Sequence, residues 1–325
     1  SAQSQTVQRH VELIAPSDMS VIIHGETGTG KEFVAQSVHK FSNRNGKPFI
    51  AIDCGALPKE LAGSEFEVKS IIPPGASPHT WSPAPSDLQN LSKASYIFIN
   101  GLGLEANLEP NLLSRPTPRS EAAILLEDII PVLHTDPDEP VHEDYPGPTE
   151  VEHTHAQDPH LWTSPQLMSR LAGKLAKELS LVFPNSALLL ESNAQRISGQ
   201  MNTLSERIKS EGKGFLNPAI ITYHNSFAYF CHECGVENLG WVQASPGKEP
   251  TPRELALLGD LIKQHGIKAI FLEPQMDRKA GEVLAREFGL QLLILDPLGS
   301  DSKAGSLGEL INENWNTMKQ SFNPR

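Results

Sequence analysis

A stretch without proline runs from Asn185 to about Glu211, directly after Pro184. Its apolar residues recur with a helical period and leave one face polar. At 1.5 Å per residue, a helix of about 26 residues is about 39 Å long. That is enough to run down the side of two lobes.

The lobe after it alternates strand and helix. Strands are expected over 219–223, 268–272 and 290–295, with helices over 225–234, 252–265, 277–288 and 306–322. That order predicts a parallel α/β lobe. Before the long helix, Ser164-Pro165 reads as an N-cap followed by proline at the first helical position, opening a helix to about Phe183. Further upstream lie a strand over 66–72, a helix over 86–94 and a strand over 96–100. The weakly patterned stretch 105–126 is expected to wrap the surface. Residues 134–160 are too polar and proline-rich to pack in their first two-thirds, and turn apolar again at Asp158-Pro159-His160-Leu161-Trp162.

The opening of the chain has a different character. A helix over about 7–15 and a short strand at Val21-Ile22-Ile23 lead into Gly25-Glu26-Thr27-Gly28-Thr29-Gly30-Lys31-Glu32, a helix to about Phe41 and a strand over 48–54. Strand, glycine loop and helix in that order suit a phosphate-binding loop, in which backbone N–H groups face the anion and Lys31 reaches the outer phosphates. Gly25, Gly28, Gly30, Lys31 and Glu32 are the candidate nucleotide-binding residues. Glu32 stands where G-x-x-x-x-G-K-[ST] has a hydroxyl for Mg²⁺. The run GETGTGKEFVAQSVHKFSNRNGKPFIAIDCGALPKELAGSEF resembles the AAA+ ATPase domain of sigma-54-dependent transcription activators, a family that tolerates Glu after the lysine. The resemblance stops at Phe66. No GAFTGA loop, acidic Walker B strand or arginine finger follows, and ATP turnover needs a metal-holding carboxylate and an arginine. Bound ATP is therefore not expected, and the P-loop reads as scaffold.

Charge narrows the function. The 325-residue chain carries a net charge of −12, with six basic against seven acidic residues up to Phe66 and 21 against 32 beyond it. An acidic balance argues against a nucleic-acid surface and suits a cation binder. No apolar run reaches the roughly 20 residues of a membrane span, and no signal-peptide pattern is present in this chain. Cys54, Cys231 and Cys234 are too few for a disulfide framework. Cys231 and Cys234 share a predicted helix, where a local disulfide or two packed thiols is favoured over a structural zinc site.

Four potential ligands recur in one setting, past a strand end or in a stiff proline turn: His79 at the tip of Pro73-Pro74-Gly75-Ala76-Ser77-Pro78-His79, then His160, His224 and Asp296. In open parallel sheets, ligands collect outside the carboxyl ends of the strands. Three imidazoles and a carboxylate can close a four-coordinate site for Zn²⁺, whereas Mn²⁺ prefers a more oxygen-rich set. Glu273 and Gln275 are placed to hydrogen-bond the ligands, and Trp81, Trp162 and Phe227 to wall them from water.

The segments PPGASPHTW, SDLQNLSKA with YIFINGLGLE, DPHLWTSP, YHNSFAYF, FLEPQ and LDPLG resemble the solute receptors of bacterial zinc and manganese ABC transporters, the zinc-uptake branch in particular. The resemblance covers 67–325. It implies that His79, His160 and His224 are the metal-binding histidines with Asp296 as the fourth ligand, and histidine at 224 favours zinc over manganese. It implies an acidic, His-rich loop over 134–157, carrying His134, His142, His153 and His155, that gathers zinc near the cleft. It further implies a periplasmic or cell-surface receptor, monomeric and not an enzyme, that delivers its ion to a cognate permease.

Together these readings give an α/β fold: a two-lobed metal receptor with parallel sheets linked by one long helix, preceded by a P-loop strand–helix–strand fragment. The expected division is 1–66 for the AAA+ P-loop fragment, 67–184 for the first receptor lobe, 185–211 for the linking helix and 212–325 for the second lobe. Residues 21–66 are expected to substitute in part for the strand and helix with which the receptor family opens. The alternatives are a nucleotide-binding fragment of a sigma-54-dependent activator, and a manganese receptor.

Overall fold

The structure is a computed structural model describing residues 49–52, 57–73, 75–91, 93–105, 108, 119–126, 158–243, 249–299 and 304–323. The P-loop residues Gly25 to Glu32 and the loop histidines His134, His142, His153 and His155 lie outside the described residues.

The long helix forms as expected. Here labelled α5, it spans Ala187–Gly212 after a short 3-10 turn at Pro184–Ser186. Its buried stripe is Leu190, Ala194, Ile197, Met201, Leu204 and Ile208, at spacings of three and four. Against it packs α4 (Pro165–Val182), whose N-cap Ser164 accepts a hydrogen bond from the Leu167 amide.

The first lobe holds β1 (Phe49–Ile52), α1 (Leu57–Ala62), β2 (Glu67–Ser70), α2 (Pro85–Leu91), β3 (Tyr96–Ile99), β4 (Arg119–Glu121) and α3 (Ala122–Leu125). Its sheet is parallel, in the order β2-β1-β3-β4. The second lobe holds β5 (Ala219–Thr222), α6 (Ala228–Cys234), β6 (Glu237–Trp241), α7 (Pro252–His265), β7 (Ala269–Leu272), α8 (Lys279–Phe288), β8 (Gln291–Ile294) and α9 (Leu307–Met318). Its order is β6-β5-β7-β8, again all parallel and the same pattern as the first.

Side chains alternate between two cores. On β7, Ala269 and Phe271 face the main core while Ile270 and Leu272 face a second cluster with Leu258, Ile262 and Leu284. On β3, Tyr96 and Phe98 face the main core, and Ile97 packs with Leu91, Ala94 and Leu108. Burial on both faces explains why these strands read as continuous apolar runs. The main core is continuous through α4 and α5 from Phe66 and Tyr96 in one lobe to Phe230 and Trp315 in the other.

Two segments differ from expectation. Part of 105–126 is built into the fold: Arg119–Glu121 is the edge strand β4, with Ser120, Ala122 and Leu126 buried. The strand β6 lacks alternating apolar residues, because Glu237-Asn238-Leu239-Gly240-Trp241 is an edge whose position is fixed by pairing with β5. The strand at the end of the P-loop resemblance, β1, lies between β2 and β3, with Ile50 opposite Val68 and Tyr96. The following α1 buries Leu57 and Leu61, and Asn193 Nδ2 of the long helix donates to the Leu61 carbonyl at 2.9 Å. That much of the expected substitution is present; 21–48 lie outside the described residues.

Cys231 and Cys234 are buried free thiols. Burial pushes the Cys234 thiol up to about 12 and Cys231 higher than its usual range. No helix among the described residues is long and apolar enough to cross a membrane.

Candidate metal centre

Three of the four predicted ligands converge. His79 follows β2, His160 precedes a 3-10 turn at Leu161–Thr163 that leads into α4, and His224 lies two residues past β5. Their ligand nitrogens all lie within 4.8 Å of one another. His79 Nε2 is 3.0 Å from His160 Nε2, and His224 Nε2 is 3.1 Å from it. The edge of a tetrahedron with Zn–N bonds of about 2.05 Å is about 3.3 Å. The spacing therefore suits one small cation.

The far edges of two rings fix their orientation. His160 Nδ1 lies 2.6 Å from Asp158 Oδ1, which also accepts the His160 backbone N–H at 2.9 Å. His224 Nδ1 lies 2.5 Å from Glu273 Oε1, which also accepts from Ser226 Oγ at 3.0 Å. A carboxylate can only accept, so Nδ1 of each ring carries the proton. In the neutral tautomer each Nε2 then presents a lone pair, and the two lone pairs face each other across 3.1 Å. Burial, and then the neighbouring rings of His160 and His224, push the His79 imidazolium down to about 3.

The turn carrying His160 is anchored to the first sheet. Asn100, at the end of β3, donates from Nδ2 to the Pro159 carbonyl at 2.7 Å. Glu105 in turn accepts the backbone N–H groups of Asn100 and Gly101 at 2.6 and 2.9 Å, and its burial raises its carboxyl. Asp158 and Asn100 were not singled out from sequence. For Asp158 a signal existed, the spacing of two residues before His160; nothing local marks Asn100.

Asp296 is buried beside the site but is not one of the three converging groups. Its Oδ1 accepts from Gln275 Nε2 at 3.0 Å and from the Leu298 and Gly299 amides at 3.0 and 2.9 Å. Its backbone is bonded on both sides by Asn314. Gln275 thus holds the carboxylate, while Glu273 holds an imidazole. The cavity around the histidines is lined also by Ser77, Trp162, Met276, Pro297 and Leu298. Of the three expected wall residues Trp162 lines this cavity, whereas Phe227 is buried against the neighbouring apolar cavity and Trp81 packs on the cluster of Leu91 and Ile97.

The family described as zinc-uptake complex component A, periplasmic, matches residues 54–321. A second, separate family, the Sigma-54 interaction domain, matches residues 1–68. The high-affinity zinc uptake system protein ZnuA of Bacillus subtilis (strain 168) is 25% identical over 269 residues, covering 81% of this chain and 83% of that one. A protein of Thermotoga maritima described as a putative metal-binding protein is 28% identical over 267 residues, covering 81% and 87%. Among solved structures, a crystal structure of ZnuA superposes with a TM-score of 0.70 at 22% identity, covering 85% of this chain and 99% of the other, a likeness of fold.

Proposed function

The chain belongs to the family of the periplasmic zinc-uptake component A, and on that premise we propose that it is an extracytoplasmic zinc receptor that binds its ion rather than transforming it. The observation that carries this reading is the convergence of ring nitrogens of His79, His160 and His224 within 4.8 Å of one another. Two carboxylates, the partly buried Asp158 and the buried Glu273, stand behind the rings. Such an arrangement is stabilised by a cation at the centre, and metal-bound histidines characteristically have a carboxylate behind them.

In this reading Zn²⁺ is cargo held by His79, His160 and His224, with Asp296 as the fourth ligand. Asp296 adjoins Pro297 and Leu298, which line the cavity. A donor set of three nitrogens and one oxygen favours zinc over manganese. The loop 134–157, with His134, His142, His153 and His155, gathers zinc for the cleft. The receptor hands the ion to the permease of an ABC importer. The proposed domains are the P-loop fragment 1–66, the lobe 67–184, the linking helix 185–211 and the lobe 212–325. Gly25, Gly28, Gly30, Lys31 and Glu32 serve as scaffold.

The test is thermal unfolding with Zn²⁺, Mn²⁺ and ATP–Mg²⁺ in separate samples, since a ligand that binds only the folded state raises its stability. Zinc is expected to give the largest rise, and His160→Ala to abolish it. No rise with zinc defeats the proposal. A rise with ATP–Mg²⁺ alone supports a nucleotide-binding P-loop instead.

A further inference from the structure

One tie crosses directly between the loops that carry the ligands of the two lobes. The indole Nε1–H of Trp162 donates to the Pro297 carbonyl at 2.8 Å. Trp162 lies two residues past His160, and its ring stands edge-on to that imidazole, with centroids 5.3 Å apart. Pro297 directly follows Asp296, whose carboxylate is fixed by the next two amides of the same turn. Trp162 is 4% exposed and lines both the metal cavity and a second, apolar cavity with Phe227, Phe230, Leu310 and Ile311.

We propose that Trp162 is a positioning residue: its hydrogen bond to Pro297 latches the His160 turn to the Asp296 turn and so fixes the separation of the ligands contributed by the two lobes. This rests on the zinc-receptor reading above. The physical grounds are local. A buried indole N–H needs an acceptor, because leaving it unpaired is costly. Its acceptor among the described residues belongs to the other lobe. The ring also packs against His160, so a shift of Pro297 is transmitted to that imidazole through one rigid plane. Other hydrogen bonds join the lobes without reaching the Asp296 turn: Tyr229 Oη donates to the Asp158 carbonyl at 2.9 Å, Ser164 Oγ donates to Glu233 Oε2 at 2.5 Å, and the Leu307 amide donates to Glu60 Oε1 at 2.7 Å.

The test replaces only the N–H. Substituting benzothienylalanine for Trp162 keeps the bicyclic ring and puts sulfur where the donor stands; Trp162→Phe is the genetically simpler companion. Three readouts are taken on the full chain: the visible spectrum of bound Co²⁺, the rate of Zn²⁺ release to a chelator, and exchange of the Trp162 indole proton in metal-free protein. The proposal expects an intense tetrahedral Co²⁺ spectrum in the wild type that weakens in both variants. It expects zinc release faster by about five- to ten-fold, the equivalent of one lost buried hydrogen bond. It expects an indole proton protected from exchange. Unchanged spectra and release rates in variants that fold overturn it. So does an indole proton exchanging as fast as free indole, which judges the latch even in a chain that binds no metal; failure of the wild type to bind Co²⁺ or Zn²⁺ counts instead against the receptor reading.

Discussion

His224 Nδ1 and Glu273 Oε1 are 2.5 Å apart, in side chains 8% and 3% exposed. The pair joins the ends of β5 and β7, neighbouring strands of the second sheet. Glu273 accordingly determines which nitrogen of His224 faces the cavity. Glu273→Gln keeps the shape but removes the charge that holds the Nδ1 proton. Zinc affinity is expected to fall by about 10- to 100-fold, read by competition with a chromophoric chelator. An unchanged affinity would show that ring orientation is set by packing alone.

The metal-free protein should lose stability in mild acid. His79 stays neutral in the folded state down to about 3, whereas its ordinary value is 6.5. As pH falls below 6.5 the unfolded chain takes up a proton that the folded chain refuses, so the equilibrium moves toward unfolding. The His79 contribution is complete above 6.5 and is lost progressively toward pH 3. Urea unfolding in the presence of chelator should therefore show a shallower dependence on pH for His79→Gln than for the wild type between pH 6.5 and 4. Parallel curves would remove His79 as the cause.

Glu233 ties α6 to the start of α4. One carboxylate oxygen accepts from Ser164 Oγ at 2.5 Å and from the Gln166 amide at 3.2 Å, and the other accepts from Ser205 Oγ on the long helix. Lys209 stands 3.8 Å away and the carboxylate is 4% exposed. Glu233→Ala leaves two buried hydroxyls, those of Ser164 and Ser205, without this acceptor, and each such group costs about 1–3 kcal/mol. A fall in unfolding free energy of about 2–4 kcal/mol is expected, measured by urea denaturation. A change below about 0.5 kcal/mol, the range of ordinary surface substitutions, would contradict the tie.

Gly212 closes the long helix against α6. A Cβ there would stand 2.2 Å from the Cys234 carbonyl oxygen, a backbone atom that cannot swing aside. Gly212→Ala should cost about 1–3 kcal/mol through forced displacement, although alanine is the better helix former by about 1 kcal/mol. Net stabilisation in calorimetry would mean that the helix end has room to move.

Much of this architecture was legible in the chain. The absence of proline over 185–211 and the apolar stripe at Leu190, Ala194, Ile197, Met201 and Ile208 specify α5 through local periodicity. The buried strands at 219–222 and 269–272 announce themselves as apolar runs. Edge elements did not: β4 is three residues, Arg119–Glu121, and β6 contains Glu237, Asn238 and Gly240, so neither carries a periodic signal. Their assignment comes from partners that are distant in sequence.

The sequence by itself determined the ligand types and their setting: three histidines and an aspartate past strand ends or in proline turns. Only the tertiary structure decided how they meet. It brought the three imidazole nitrogens together and gave Asp158 and Glu273 the outer edges of two rings. It committed one oxygen of Asp296 to its own turn and to Gln275. It set β1 between β2 and β3, inside the receptor sheet. The physical reason is the range of the interactions. Helix and strand periods are written into neighbouring residues, whereas a hydrogen bond between Trp162 and Pro297 depends on two parallel sheets docked along a common helix, which no local pattern encodes.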